Sequence, residues 1–205
     1  MKQKKDFNLP KTQESSNTWL TPPSLIEKLG KFDLDPCASV GVPEELKCAE
    51  TNFTIEDDGL SKEWFGRIFL NPPYGSEIVP WMKRMSDNKH KGLALTFART
   101  DTRWFHEYVL NSAKYMFLFK GRLKFWRYIC EFTFNNGYET QVVNDESNLS
   151  KFTDFENAGL GKITVSVKEG QACNAASCLI AWDESEYDCL KSLEEQKLGK
   201  LLTIY

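Results

Sequence analysis

One stretch, Arg67-Ile68-Phe69-Leu70-Asn71-Pro72-Pro73-Tyr74-Gly75, constrains this chain more than any other. The apolar run Ile68-Phe69-Leu70 predicts a short buried strand. It runs directly into two prolines. These lack the N–H a ladder needs and restrict the residue before them, so the strand cannot continue past Asn71. The product is a stiff turn. It presents an amide side chain, the Pro72 carbonyl and the Tyr74 ring at the carboxyl end of a strand, where open α/β sheets bind ligands. Taken alone, the same residues describe a rigid turn with a capping Asn, so the surrounding segments must decide.

Those segments alternate in type. Residues 1–18 are polar and predict a flexible N-terminal segment. Thr21-Pro22-Pro23 reads as a helix start with Thr21 as N-cap; Leu25, Ile26 and Leu29 form its apolar face and Gly30 its end. Phe32–Asp35 predicts a short strand stopped by Pro36. A short helix near 44–49 and a strand near 52–55 follow, then the turn Asp57-Asp58-Gly59. Ile78, Trp81, Met82 and Met85 mark a helical stripe. Strands are expected at 92–98 and 115–119, with a helix from Trp104 between them. This order predicts an α/β protein with a parallel sheet and right-handed crossovers. From about 128 the character changes. Cys130–Phe134, Asn136-Gly137 and 138–143 predict a hairpin. Residues 144–161 are polar, 163–167 alternate as a strand, 178–182 form an apolar strand, and a helix closes the chain.

The 205 residues suffice for one domain with a real core. No run of 18 apolar residues occurs, so no membrane span is expected. The basic start lacks an apolar region behind it and does not read as a secretory signal. A cytoplasmic protein with its six cysteines as reduced thiols is the expectation. The spacing Cys173-x4-Cys178-x10-Cys189 matches no common zinc pattern and has no histidine nearby, so no metal is expected. A net charge of −3 does not favour nucleic acid. It leaves such binding open, because residues 114–127 carry Lys114, Lys120, Arg122, Lys124 and Arg127 with no acid.

The turn resembles the Asn/Asp-Pro-Pro-Tyr motif of S-adenosylmethionine-dependent amino-methyltransferases. Around it stand Trp19-x-Thr21-Pro22, Asp33-Leu34-Asp35-Pro36-Cys37-Ala38, Glu56-x-Asp58-Gly59-Leu60-x3-Trp64, Arg99-Thr100-Asp101-Thr102 and Gly121-Arg122-Leu123-Lys124-Phe125. In this order and spacing the set resembles the phage- and prophage-type DNA N6-adenine methyltransferases, the Dam-like family. The resemblance covers roughly residues 19–127 and returns weakly at 177–182. It implies a Rossmann-like methyltransferase domain over 19–205, phage or prophage encoded and acting in the bacterial host cytoplasm. The cofactor it implies is S-adenosyl-L-methionine and the substrate double-stranded DNA.

The resemblance also implies roles. Asn71 and Pro72 would accept the two N–H bonds of an exocyclic amine and aim its lone pair, Pro73 would stiffen the turn, and Tyr74 would stack on the base. Asp35, beside Pro36 and Cys37, matches the acidic motif at the cofactor's methionine end, where a carboxylate pairs with the ammonium. Asp58 matches an acid that contacts the cofactor's adenine, with Glu56 and Asp57 as neighbours in an uncertain register. Thr21 and Pro22 match a segment lining the methionine carboxylate pocket. Pro36-Cys37 is also the nucleophile dipeptide of cytosine-C5 methyltransferases, a chemistry that does not suit an amine-binding turn. The target adenine must leave the duplex stack. Arg99, Arg103, Arg122 and Lys124 follow strand ends and are the candidate DNA backbone contacts, against plain surface charge.

Two departures stand out. The loop after Asp35 lacks the usual Gly-x-Gly. Asp35 and Arg67 are only about 32 residues apart, too few for two full crossovers of at least ~10–12 residues each with their strands, so the first half of the sheet is expected to be abbreviated. Segment 128–170 breaks the pattern as a β-rich insertion, a candidate for target recognition or, alternatively, a structural or oligomerisation element in a monomer or homodimer. Methylation of an RNA amine or a protein glutamine, or a catalytically silent binding module, remain the rival readings.

Overall fold

A computed structural model describes residues 19–40, 42–87, 91–137, 139–143 and 146–204. The expected flexible segment 1–18 lies outside the described residues. The chain divides into two compact units. The larger comprises Leu20–Trp126 and Glu169–Tyr205; the smaller is built on Arg127–Lys168, with Trp19.

The larger unit holds helix α1 (Pro23–Leu29), strands β1 (Leu34–Asp35), β2 (Thr51–Asn52) and β3 (Arg67–Leu70), helix α2 (Ile78–Asp87), strand β4 (Lys91–Phe97), helical turn α3 (Arg103–Phe105) and strand β5 (Tyr115–Phe119). Strand β1 pairs in parallel with β2 on one side and β3 on the other, and β3 pairs in parallel with β4. From β1 the chain moves outward to β2, then crosses back past β1 to reach β3. The direction of winding therefore reverses between β1 and β3. That reversal opens a crevice at the carboxyl ends of these two strands, and Asp35 and Asn71 stand there.

The expected all-parallel sheet is corrected to a mixed one. The seven strands run β10-β5-β9-β4-β3-β1-β2, where β9 is Ser177–Ala181 and β10 is Gly199–Thr203. Strand β9 is antiparallel to both β4 and β5, and β10 is antiparallel to β5. Strands β9 and β10 thus run parallel to each other on either side of β5. The helix α5 (Tyr187–Glu195) joins them, as a parallel pair requires. The abbreviated first half is visible in β1 and β2, two residues each.

The period of two sorts the core. Ile68 and Leu70 join Ile78, Met82, Met85, Phe105 and Val109 in one buried cluster. Phe69, on the opposite face, meets Phe32 at 5.1 Å. After α3 the helix widens into a π turn over His106–Leu110. The indole N–H of Trp182 donates to the Tyr108 carbonyl there at 3.1 Å. The expected Thr21 cap on α1 does not form. Pro22 is the N-cap residue, without a side-chain bond, and its carbonyl takes the Leu25 N–H at 2.9 Å.

The smaller unit contains most of β6 (Lys124–Phe134), then β7 (Glu139–Val143), α4 (Glu146–Asn157) and most of β8 (Gly161–Ala172), with strand order β7-β6-β8. The predicted hairpin forms, with Ile129 opposite Val143. Helix α4 lies in the polar stretch 144–161, to which the sequence reading assigned no element. Phe152 and Phe155 lie three positions apart, one helical turn, and both rings pack on Phe132, at 5.5 and 5.7 Å.

Candidate active site

The carboxyl end of β1 carries Asp35, buried at 5% exposure. The Cys37 N–H donates to its Oδ1 at 3.0 Å. Burial dominates this single bond and pushes the carboxyl up to about 7. Pro36 is buried against a second loop. A Cβ at Gly59 would stand 1.9 Å from the Pro36 carbonyl oxygen, so only glycine lets the Asp58-Gly59 turn approach this closely. The Trp64 indole N–H holds the Gly59 carbonyl at 2.7 Å, and Arg84 braces the same turn through the Leu60 and Lys62 carbonyls. In Asp58-Gly59-Leu60-x3-Trp64, Gly59 and Trp64 therefore fix the loop.

This geometry also sorts the three acids. Asp57 accepts from the Thr54 N–H and hydroxyl, at 2.9 and 3.1 Å. Asp58 has a positive φ of 53° and an exposed side chain. Gly59→Ala is expected to push the two loops apart. A fall in thermal midpoint together with lost cofactor affinity would check this; an unchanged protein would contradict the loop contact.

The Asn71–Tyr74 turn leaves β3 beside Asp35. Gly75, at φ 96°, turns the chain after it. The Asn71 Nδ2 donates to the Thr21 hydroxyl at 3.3 Å. Thr21 is 4% exposed. The Tyr74 ring stacks on Phe97 at the end of β4, with centroids 4.2 Å apart and planes 16° from parallel. Phe125 meets Phe97 edge-on at 6.4 Å. Burial raises the Tyr74 phenol far above its ordinary value, with Cys173 and Cys178 adding to the effect.

With this geometry in place, the comparison with known families is decisive. The chain matches the model of DNA N-6-adenine-methyltransferase (Dam) over residues 8–170. The chain belongs to the Dam family. No curated protein and no solved structure matches it. The family is one of DNA adenine-N6 methyltransferases, that is, transferases whose substrate is DNA. The match runs through Arg127–Lys168 as well as the crevice.

In this Dam-family chain, Thr21, Asp35, Pro36, Cys37, Asp58 and Asn71 all reach the reversal between β1 and β3 or the loops packed on it. Pro22 is buried behind them as the start of α1. Arg99 lies over Phe97, 5.9 Å from its centroid, and so borders the Tyr74 stack. The remaining basic candidates are less concentrated. Arg103 pairs with Glu107 at 3.4 Å, Lys124 pairs with Glu169 at 3.4 Å, and Arg122 is exposed.

Four contributors escaped the sequence reading. Phe97 supports Tyr74, and Phe125 supports Phe97; Phe97 looked like an ordinary strand residue, and Phe125 stood only as the last residue of the Gly121–Phe125 motif. Cys48 lies against Asp35 and the Thr21 hydroxyl, and burial raises its thiol well above the usual range. Asn52 aligns with Asp35 across β1 and β2. Its Nδ2 donates to the Ala49 carbonyl at 2.7 Å, while its Oδ1 is buried without a hydrogen-bond partner among the described residues. An orphaned acceptor at a strand end is a ligand signal that only the register reveals. The five cysteines 37, 48, 173, 178 and 189 are free thiols. Among the described residues, no group of three metal-binding side chains occurs and no helix is long and apolar enough to cross a membrane.

Proposed function

We propose that this protein is a site-specific, S-adenosylmethionine-dependent methyltransferase acting on the N6 amine of a flipped adenine in double-stranded DNA. The observation that carries the reading is the reversal between β1 and β3, neighbouring parallel strands whose carboxyl ends carry Asp35 and Asn71. We read the sheet as Rossmann-like, with an abbreviated first half. The cofactor is tested by what the crevice offers. A buried carboxylate (Asp35) suits an ammonium, the orphaned Asn52 Oδ1 suits a hydroxyl donor, and exposed Asp58 suits an amine. The residues fit.

When bound, S-adenosylmethionine supplies an electrophilic methyl group. Asp35 holds the ammonium end, with Thr21, Pro22, Pro36 and Cys37 lining that side. Asn71 Oδ1 and the Pro72 carbonyl accept the two N–H bonds of the target amine and orient its lone pair. Pro73 keeps the two acceptors from moving apart. Tyr74, backed on one face by Phe97, offers its other face to the base. These are positioning and dipole effects, which need no covalent intermediate. Arg99, Arg103, Arg122 and Lys124 contact phosphates. The 127–168 segment carries four basic and six acidic residues, so its proposed part is reading the target rather than gripping the backbone.

The test is to incubate the protein with labelled cofactor and DNA of varied sequence and digest to nucleosides. Labelled N6-methyladenine is expected. Its absence, or label in RNA or protein instead, would overturn the reading.

Asp35 adds a pH signature. Its carboxyl is neutral below about 7 in the free protein, and an ammonium prefers the carboxylate. Cofactor affinity is expected to fall as pH drops from 8 to 6, approaching tenfold per unit. The free protein should show the opposite trend. A carboxyl whose folded pKa is raised favours folding while protonated. The contribution is complete below its unfolded value of 3.8 and is lost as pH rises through about 7. At about 1.4 kcal/mol per unit, the change is on the order of 4 kcal/mol. Asp35→Asn should therefore stabilise the free protein at pH 8 while abolishing cofactor binding. Urea unfolding at pH 6 and 8 would show it; a variant no more stable at pH 8 would refute the buried, raised carboxyl.

A further inference from the structure

We infer that Thr21 is a positioning residue for the Asn71 amide, holding its nitrogen end so that the oxygen end faces the acceptor amine. This rests on the reading of Asn71 given above. A carboxamide has two ends of similar size and opposite hydrogen-bonding character, and only Oδ1 can accept from an amine. Packing alone does not choose between them. The Thr21 hydroxyl lies 3.3 Å from Nδ2, but a hydroxyl can donate or accept, so by itself it leaves the choice open.

The rest of the chain removes that freedom. Cys48 interacts with the Thr21 hydroxyl. The Cys48 thiol in turn points at the Leu46 carbonyl, 4.0 Å away. A backbone carbonyl can only accept, so a thiol hydrogen directed at Leu46 leaves the sulfur as an acceptor. The sulfur then accepts the Thr21 proton, and the Thr21 oxygen accepts from Asn71 Nδ2. Each hydrogen bond sets the direction of the next. The chain ends on an atom that can only accept, which favours this polarity. Thr21 is 4% exposed and its hydroxyl forms no cap bond to α1, so this buried hydroxyl is not held for capping the helix.

The test compares Thr21→Val, which keeps the shape and removes the hydroxyl, with Thr21→Ser, which restores it. Cys48→Ala is a second route that breaks the chain one link further away. Three quantities are measured: the single-turnover rate at saturating cofactor and DNA, cofactor affinity by calorimetry, and the Asn71 side-chain amide NMR signals in the cofactor-free protein. Thr21→Val should slow the single-turnover step by about ten- to a hundredfold even at saturating cofactor; any loss of cofactor affinity, from the place of Thr21 beside the ammonium end, is read separately by the calorimetry. Thr21→Ser should recover most of the rate, and Cys48→Ala should fall between. The Asn71 amide signals should shift in Thr21→Val and Cys48→Ala. A wild-type single-turnover rate in Thr21→Val, a Thr21→Ser variant as slow as Thr21→Val, or unmoved Asn71 signals would overturn the inference. Wild-type protein that methylates no DNA adenine would instead overturn the proposed function, while the NMR result would still report on the hydrogen-bond chain.

Discussion

Asn71→Ala is expected to lower methyl transfer by about 10²–10³-fold, the usual cost of removing one preorganised group at a reacting centre. Cofactor binding should survive. The Asp35 carboxylate and the Asp58 loop are held by Cys37, Trp64 and Arg84, none of which depends on the Asn71 side chain. The stiff Pro72-Pro73 backbone should keep its course for the same reason. Equilibrium binding of labelled cofactor, followed by single-turnover methylation of DNA, separates the two effects. Asn71→Asp makes a finer comparison. It keeps an acceptor toward the amine but cannot donate to Thr21, so the hydroxyl must turn against its bond with Cys48. An intermediate rate is expected. Near-normal turnover in Asn71→Ala would show that the turn is only a turn.

Glu186→Ala is expected to cost about 3–5 kcal/mol of stability, the range for breaking a buried ion pair from one side. Glu186 is 1% exposed and meets Arg67 through two parallel bonds, Nε to Oε1 at 2.8 Å and Nη2 to Oε2 at 2.6 Å. The other nitrogen, Nη1, donates to the Leu29 and Lys31 carbonyls at 2.8 and 2.9 Å, and the guanidinium lies 4.2 Å over Phe32. One side chain thus ties the start of β3 to the end of α1 and to the turn before α5. Removing Glu186 leaves this charge half-buried without a counter-ion. For a protein of this size, the loss corresponds to a fall of about 6–20 °C in the thermal midpoint. The pair sits at the opposite end of β3 from Asn71, so the folded fraction at low temperature should keep its methylation rate. The double variant Arg67→Met, Glu186→Leu should recover most of the stability, because burying both charges has its own desolvation cost. A loss below about 1 kcal/mol in Glu186→Ala would place the pair among ordinary surface bridges.

What could be read in advance divides along a physical line. Strand β3 and its proline stop, the acid at the end of β1, the strands β4, β5 and β9, and the Asn-Gly hairpin all rest on local chemistry: apolar runs, prolines and turn residues. Each appears close to where expected. Strand direction is not local. The residues 177–181 are equally apolar in a parallel or an antiparallel place, so the mixed sheet was invisible. Strand β10 was hidden because the helical stripe reaches Leu198, and the five residues Gly199–Thr203 carry only Leu201 and Leu202 as an apolar signal. Helix α4 was hidden because its polar residues outnumber the phenylalanines that pack it. Within the crevice, Asp35 and Asn71 stood out because each ends a strand at a proline. The partner of Asn71 is 50 residues away, and the Arg67–Glu186 pair spans 119. Such pairings depend on the finished fold. The Thr54 bonds that occupy Asp57 likewise appear only in the folded loop.

The two strands that connect the units leave and return side by side. Strand β8 pairs with β6 in the three-stranded sheet. Just outside these strands the Cys173 N–H donates to the Leu123 carbonyl at 3.1 Å, and within them Lys124 reaches Glu169 at 3.4 Å. The excursion is therefore closed at its neck. Residues added, removed or replaced beyond that neck change the length of a loop whose ends are already held together, and the entropy of such a loop grows only slowly with its length. Evolution can rewrite the small unit while the crevice of the large one stays as it is. The neck is thus a joint at which the small unit can be exchanged without disturbing the strand ends that carry Asp35 and Asn71.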